Sequence, residues 1–186
     1  QELDKVVGVL SPTLLDKSRY AQSTFSEVLN WLHTENLDIL ESLAKNKRLI
    51  VEGGPGTGKT TMAKAFIKKH KGLKGLYLCQ NILLYAKIRE ELIQEDLYNC
   101  EVYTLNRYMA TISQSMESMP IWTAKLLKEV FMQSNPKLYD YIIIDEAQDI
   151  ADKGIEVLID NLISVSGDGL STGNYLIFYD LEQGYN

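Results

Sequence analysis

The residues from Gly53 to Thr60, Gly53-Gly54-Pro55-Gly56-Thr57-Gly58-Lys59-Thr60, set four glycines ahead of a lysine and a hydroxyl at G-x-x-x-x-G-K-[ST] spacing. Glycines permit positive φ and close backbone approach, so successive N–H groups can curl around an anion. The start of a following helix would point its positive end at the same anion. Lys59 would then reach the β- and γ-phosphates of a nucleoside triphosphate, and the Thr60 hydroxyl would ligate Mg²⁺, with Thr61 beside it. The bland alternative is a glycine-rich turn entering an ordinary helix. The apolar run Leu49-Ile50-Val51 before the loop and the helix-like segment Met62 to Lys69 after it provide the strand–loop–helix setting that such chemistry needs.

Two further strand ends carry matching groups. Tyr141-Ile142-Ile143-Ile144 is a continuous apolar run, as expected of a strand buried on both faces, and it ends in Asp145-Glu146-Ala147-Gln148-Asp149. Asp145 can hold the Mg²⁺ ligated by Thr60, and Glu146 can orient or deprotonate an attacking water. Gln148 is placed with the phosphate-contacting set. Tyr175-Leu176-Ile177-Phe178-Tyr179 ends in Asp180-Leu181-Glu182-Gln183, where the Gln183 amide could sense a γ-phosphate. An acidic pair after a strand is by itself commonly a solvated strand end. Downstream of a phosphate loop it becomes the second half of a site.

The elements that must position these groups alternate. Helical spacing of apolar residues marks segments at about Thr24 to Leu32, from Thr34 onward, Met62 to Lys69, Ile82 to Ile93, Leu105 to Ile112, Trp122 to Met132 and Gly154 to Val165. Strands are expected at Leu49–Val51, Leu76–Cys79, Val102–Tyr103, Tyr141–Ile144 and Tyr175–Tyr179, with loops at 113–120 and from Val165 to Gly173. Strands alternating with helices predict an α/β fold, a doubly wound and mostly parallel sheet flanked by helices, with Leu49–Val51 as a core strand. Ligands of such sheets sit at the carboxyl ends of the strands, where all three groups fall.

Composition sets outer bounds. The 186 residues can bury a substantial core, and 45% hydrophobic with 24% charged residues is ordinary for a soluble globular protein. There is no apolar run of about 18 residues or more, so no membrane partner is expected, and residues 1–20 lack the pattern of a signal peptide. Cys79 and Cys100 lack metal-ligand spacing and are expected to be buried free thiols in a reducing cytoplasm. The net charge of −6 argues against a broad nucleic-acid-binding surface but leaves room for a local groove. Lys64, Lys68, Lys69 and Lys71 are expected to form a solvated helix face rather than a nucleic-acid patch.

The segment Asp145-Glu146-Ala147-Gln148-Asp149 resembles motif II of superfamily 1 DNA/RNA helicases of the UvrD/Rep type. Leu78-Cys79-Gln80-Asn81-Ile82-Leu83-Leu84 resembles motif Ia, in the form found in helicase-like proteins that carry a nuclease-related domain. Val102-Tyr103-Thr104-Leu105-Asn106 is similar to the segment usually written TFHS, and Phe178 to Tyr185 to motif III. The resemblance covers roughly residues 34–186, after a lead-in over residues 1–33. It implies the first RecA-like, P-loop ATP-binding domain of a motor that couples MgATP hydrolysis to movement on single-stranded DNA or RNA. By carry-over, Lys59, Asp145, Glu146 and Gln183 are catalytic, with Thr60 and Asp145 on Mg²⁺. Asn81, Thr104 and Asn106 would lie toward the nucleic acid.

The sequence departs from the family pattern at several positions. Asn36 stands where an adenine-reading glutamine is usual, Tyr179 replaces the motif III glycine, and Asn106 replaces the TFHS histidine. The chain begins at Gln1 and stops at Asn186, directly after motif III, so the expectation is a fragment that lacks a second RecA-like domain with its arginines. Such a chain should bind MgATP, hydrolyse it slowly and unwind nothing. Two other functions fit the same phosphate loop: an ATPase switch or protein-moving ATPase without nucleic acid, and a nucleotide-sensing module that never turns over.

Overall fold

The order in which the chain lays down its strands differs from their order across the sheet. The computed structural model describes residues 47–54, 56–113, 122–150, 153–164 and 169–180, all within the unit Leu43–Asn186. Both helices expected before residue 47, and the division at residues 33/34, lie outside the described residues. Strands β1 (Arg48–Glu52), β2 (Gly75–Cys79), β3 (Cys100–Thr104), β4 (Tyr141–Ile144) and β5 (Tyr175–Tyr179) form one sheet in the order β1-β5-β4-β2-β3. Every pairing is parallel. The expected α/β architecture is present.

The helices are α1 (Lys59–Lys69), α2 (Ile82–Gln94), α3 (Leu105–Ile112), α4 (Ala124–Gln133), α5 (Ile155–Leu162) and the single turn α6 (Gly169–Thr172). Side chains alternate across a strand, so the fully buried run Tyr141–Ile144 serves both faces. Ile142 and Ile144 join Leu76, Leu78 and Ile177 in a core closed by Leu105 and Met109 of α3, Leu127 and Phe131 of α4, and Val157, Leu158 and Leu162 of α5. On the other face, Tyr141 meets Phe66 of α1 edge to face, with ring centroids 5.3 Å apart. Helices therefore cover both faces, which makes the sheet doubly wound.

Asn81, Thr104 and Thr123 cap α2, α3 and α4 by accepting from backbone amides of the first turn. The lysine face of α1 is not simply solvated. Lys64 pairs with Glu91 at 2.8 Å and Glu95 at 3.1 Å, and Lys68 pairs with Glu95 at 2.7 Å, tying α1 to the end of α2. The hydrogen bond to Glu91, ahead of that to Glu95, raises the Lys64 pKa, whereas Lys68 and then Lys64 lower that of Glu95.

Three details differ from the sequence expectation. β1, expected as a core strand, is an edge strand among the described residues, pairing on one side only, with β5, and Ile50 on it is 65% exposed. β3 extends from Cys100 to Thr104, two residues further back than its apolar pair, because its whole length pairs with β2. A helical turn, α6, forms inside the expected loop, where the Leu170 amide donates to Asp160 Oδ1 of α5 at 2.8 Å.

Candidate nucleotide site

Strand β5 lies between β1 and β4, so the ends of these three strands are neighbours. The ladder between β1 and β5 runs one step beyond the strands, with the Gly53 amide donating to Tyr179 O at 3.0 Å. The loop that begins at Gly53 is therefore fastened to the strand that delivers Asp180. The ladder from β2 also continues beyond β4, the Asp145 amide donating to Leu78 O at 2.9 Å. Gly53, Asp180 and Asp145 thus emerge side by side along the carboxyl edge of the sheet, where ligands of α/β sheets bind.

The loop has the geometry that its glycines imply. Gly56 and Gly58 have φ of 77° and 87°, the left-handed region that other residues seldom adopt. A Cβ on Gly53 would come within 2.6 Å of Thr57 Oγ1. Thr57 Oγ1 donates to Gly54 O at 2.9 Å and closes the turn. Lys59 opens α1, and its ammonium bends over the loop to donate to Gly53 O at 2.6 Å and Gly54 O at 3.4 Å. Thr60 is half-buried in the first turn of α1 and Thr61 is exposed. Pro55 lies outside the described residues.

Asp145 is 2% exposed, and both its oxygens accept hydrogen bonds from neutral donors. Oδ1 takes the Glu146 amide at 2.9 Å, and Oδ2 takes the phenol of Tyr77 on β2. Burial first, and then the Asp145 charge, push the Tyr77 phenol well above its usual range, so it remains a donor. No ion pair reaches Asp145 among the described residues. A buried carboxylate with only neutral partners, level with a phosphate loop, fits a divalent cation. Among the described residues no group of three or more His, Cys, Asp or Glu could hold a metal. A cation here would have to share its coordination with phosphate oxygens, as Mg²⁺ commonly does.

Glu146 follows in the left-handed conformation, with φ 51° and ψ 50°. Such backbone costs a non-glycine residue about 1–2 kcal/mol and is concentrated at functional sites. Its carboxylate is held by Gln148, whose Nε2 donates to Oε2 at 2.6 Å. The other end of the same amide, Gln148 Oε1, accepts from the Asp180 amide at 3.0 Å. Gln148 therefore spans from β4 to β5, and Asp180 beside it is buried.

Other expected site residues fall elsewhere. Asn81 and Thr104 sit at the carboxyl ends of β2 and β3 with their side chains engaged as helix caps, and Asn106 is half-buried in α3. Asn36 and Gln183 lie outside the described residues. Cys79 and Cys100 are buried and free, as expected. Burial, followed for Cys79 by the charges of Asp145 and Glu146, pushes both thiols up to about 12. Tyr77 was missed as a site residue. The signal available was a phenol inside the aliphatic strand Leu76-Tyr77-Leu78, because a buried tyrosine hydroxyl usually finds a partner.

Comparison with known proteins gives a family match and a similar solved structure. The Sulfolobus solfataricus SWI2/SNF2 ATPase core in complex with dsDNA is similar at 16% identity and a TM-score of 0.48, over 84% of this chain and 31% of that one. The chain thus spans about a third of that protein's length. A family model described as an AAA domain matches residues 36–169, well over half of the sequence. The phosphate loop and Asp145 both fall inside that match, and the chain belongs to this AAA-domain family of phosphate-loop ATPase domains.

Proposed function

We propose that the chain is the MgATP-binding domain of a superfamily 1 helicase-like ATPase, which couples hydrolysis to movement on single-stranded nucleic acid together with a second RecA-like domain. One observation supports this reading most: β5 separates β1 from β4 and sets Asp180 between the phosphate loop and Asp145. The loop amides and Lys59 would bind the phosphates, and Thr60 and Asp145 would hold Mg²⁺. When bound, that ion neutralises phosphate charge. Glu146, held by Gln148, would take a proton from the attacking water. Gln183 would sense the γ-phosphate from the continuation of β5, and Asn36 would face the adenine. Asn81, Thr104 and Asn106 would border the nucleic acid at the neighbouring ends of β2 and β3.

Hydrolysis by this chain alone should be slow. Of its described arginines, Arg48 donates to Ser171 O, and Arg89 and Arg107 lie at Tyr85, Arg107 with its guanidinium 4.7 Å from the ring centroid. None lies at the phosphate loop, and an arginine on the transferring phosphate is worth about 10³–10⁵ in rate in related enzymes. The test is nucleotide binding and turnover with and without single-stranded DNA or RNA. Binding that needs Mg²⁺ and Lys59, with turnover below about 1 s⁻¹, agrees with the proposal. An ATPase that polynucleotide never stimulates, even when the second domain is supplied, would favour a switch acting without nucleic acid. The net charge of −6 and the pairing of Lys64 and Lys68 with Glu91 and Glu95 give that second reading its support.

A further inference from the structure

The buried hydroxyl of Tyr77 could have been satisfied by a main-chain carbonyl, but its partner is the buried carboxylate of Asp145, the group read above as a cation ligand. Tyr77 lies on β2, in register with Ile143 of the adjacent β4. Because side chains alternate along a strand, Ile143 and Asp145 share a face, and Tyr77 stands beside them on it. Its ring is fully buried, and its phenol donates to Asp145 Oδ2 while the Glu146 amide donates to Oδ1 at 2.9 Å. One donor comes from the chain immediately after Asp145 and the other from the next strand. Together they fix the rotation of the carboxylate plane, which a single donor would leave free to turn.

We propose that Tyr77 is a positioning residue, whose hydroxyl orients the Asp145 carboxylate so that its remaining lone pairs face the cation shared with Thr60. The inference rests on the Mg-nucleotide reading above. Hydrogen-bond partners behind a metal ligand typically contribute 10–100-fold in metal affinity. A phenol that merely satisfied its own hydrogen bond would influence stability and leave the metal dependence untouched.

The variant Tyr77→Phe keeps the ring and removes the hydroxyl. Binding of mant-ATP, a fluorescent ATP analogue, is measured by anisotropy across a Mg²⁺ titration and again in EDTA. The expected result is a Mg²⁺ midpoint raised about tenfold or more, with affinity in EDTA within about twofold of the unaltered chain. An unchanged midpoint, or an equal loss with and without Mg²⁺, overturns the proposal. Asp145→Asn separates the two levels of inference. If that change abolishes the Mg²⁺ effect and Tyr77→Phe does not alter it, only the role of Tyr77 fails. If the unaltered chain shows no Mg²⁺ effect, the nucleotide reading fails with it. Should Tyr77→Phe not fold, the Tyr77 hydroxyl proton of the unaltered chain provides a second readout by NMR. It should shift when Mg²⁺ is added to the nucleotide complex and not when nucleotide is added in EDTA; no shift with Mg²⁺ overturns the proposal.

Discussion

Gln148 joins two strand ends, donating to the Glu146 carboxylate at 2.6 Å and accepting from the Asp180 amide at 3.0 Å. The carboxylate that would accept a proton from water is thus braced against the strand that leads toward Gln183. Replacing Gln148 with Ala should lower single-turnover ATP hydrolysis about 10-fold or more while leaving nucleotide affinity within a few-fold, as loss of an orienting group does. Quench-flow measurement with labelled ATP checks this. A loss confined to affinity would mean that Gln148 contacts phosphate instead.

Lys59 places its ammonium over the loop carbonyls of Gly53 and Gly54. Lys59→Ala should weaken mant-ATP binding about 100-fold, the loss of a charge-assisted contact of roughly 3 kcal/mol. Its far-ultraviolet circular dichroism should not change, because the side chain supports no core contact. Retained affinity would remove the phosphate loop from the site.

Glu146 holds a left-handed backbone that glycine adopts without penalty. Glu146→Gly should therefore raise unfolding free energy by about 0.5–1 kcal/mol, the relief of strain less the flexibility that glycine adds to the unfolded chain. Hydrolysis should disappear in the same variant. Urea denaturation alongside a phosphate-release assay tests both halves, and a destabilised variant would argue that the Gln148 contact outweighs the strain.

Cys79 and Cys100, both pushed up to about 12 by burial, also set a pH dependence. In the unfolded chain these thiols ionise near their ordinary pKa of about 8.5, whereas in the folded chain they stay protonated. A folded pKa above the unfolded one gives stability that is complete below the unfolded value and lost as pH rises. Unfolding free energy should consequently fall between about pH 9 and 12. Native chain at pH 8 should react with a thiol reagent far more slowly than urea-unfolded chain, and rapid reaction of both cysteines would contradict their burial.

Much of the candidate site is legible in the sequence because its chemistry is local. The loop from Gly53 to Thr60 needs only its own spacing, and Asp145-Glu146 needs only the apolar run before it. What sequence could not supply was lateral order. That β1 occupies an edge, that β5 lies between β1 and β4, and that Tyr77 reaches Asp145 all depend on pairings between residues far apart in the chain. Periodicity carries no information about them. The partners of Lys64 and Lys68 were illegible for the same reason: both lysines lie on one helix, whereas Glu91 lies on another and Glu95 caps its end. The turn at Gly169–Thr172 has the composition of a loop, and the contact with Asp160 decides it.

The insertion of β5 between β1 and β4 also imposes an order on the birth of the protein. During synthesis the neighbours β2, β3 and β4 can pair as soon as Ile144 is available, since they are adjacent in the sheet. The strand bearing the phosphate loop has no sheet partner among the described residues until Tyr175–Tyr179 has emerged, 127 residues after its own first residue at the Arg48↔Tyr175 pair. Closing so long a loop is slow. Nucleotide binding should therefore appear late on the ribosome, and chains released before β5 should contain a stable sheet fragment with an unanchored phosphate loop.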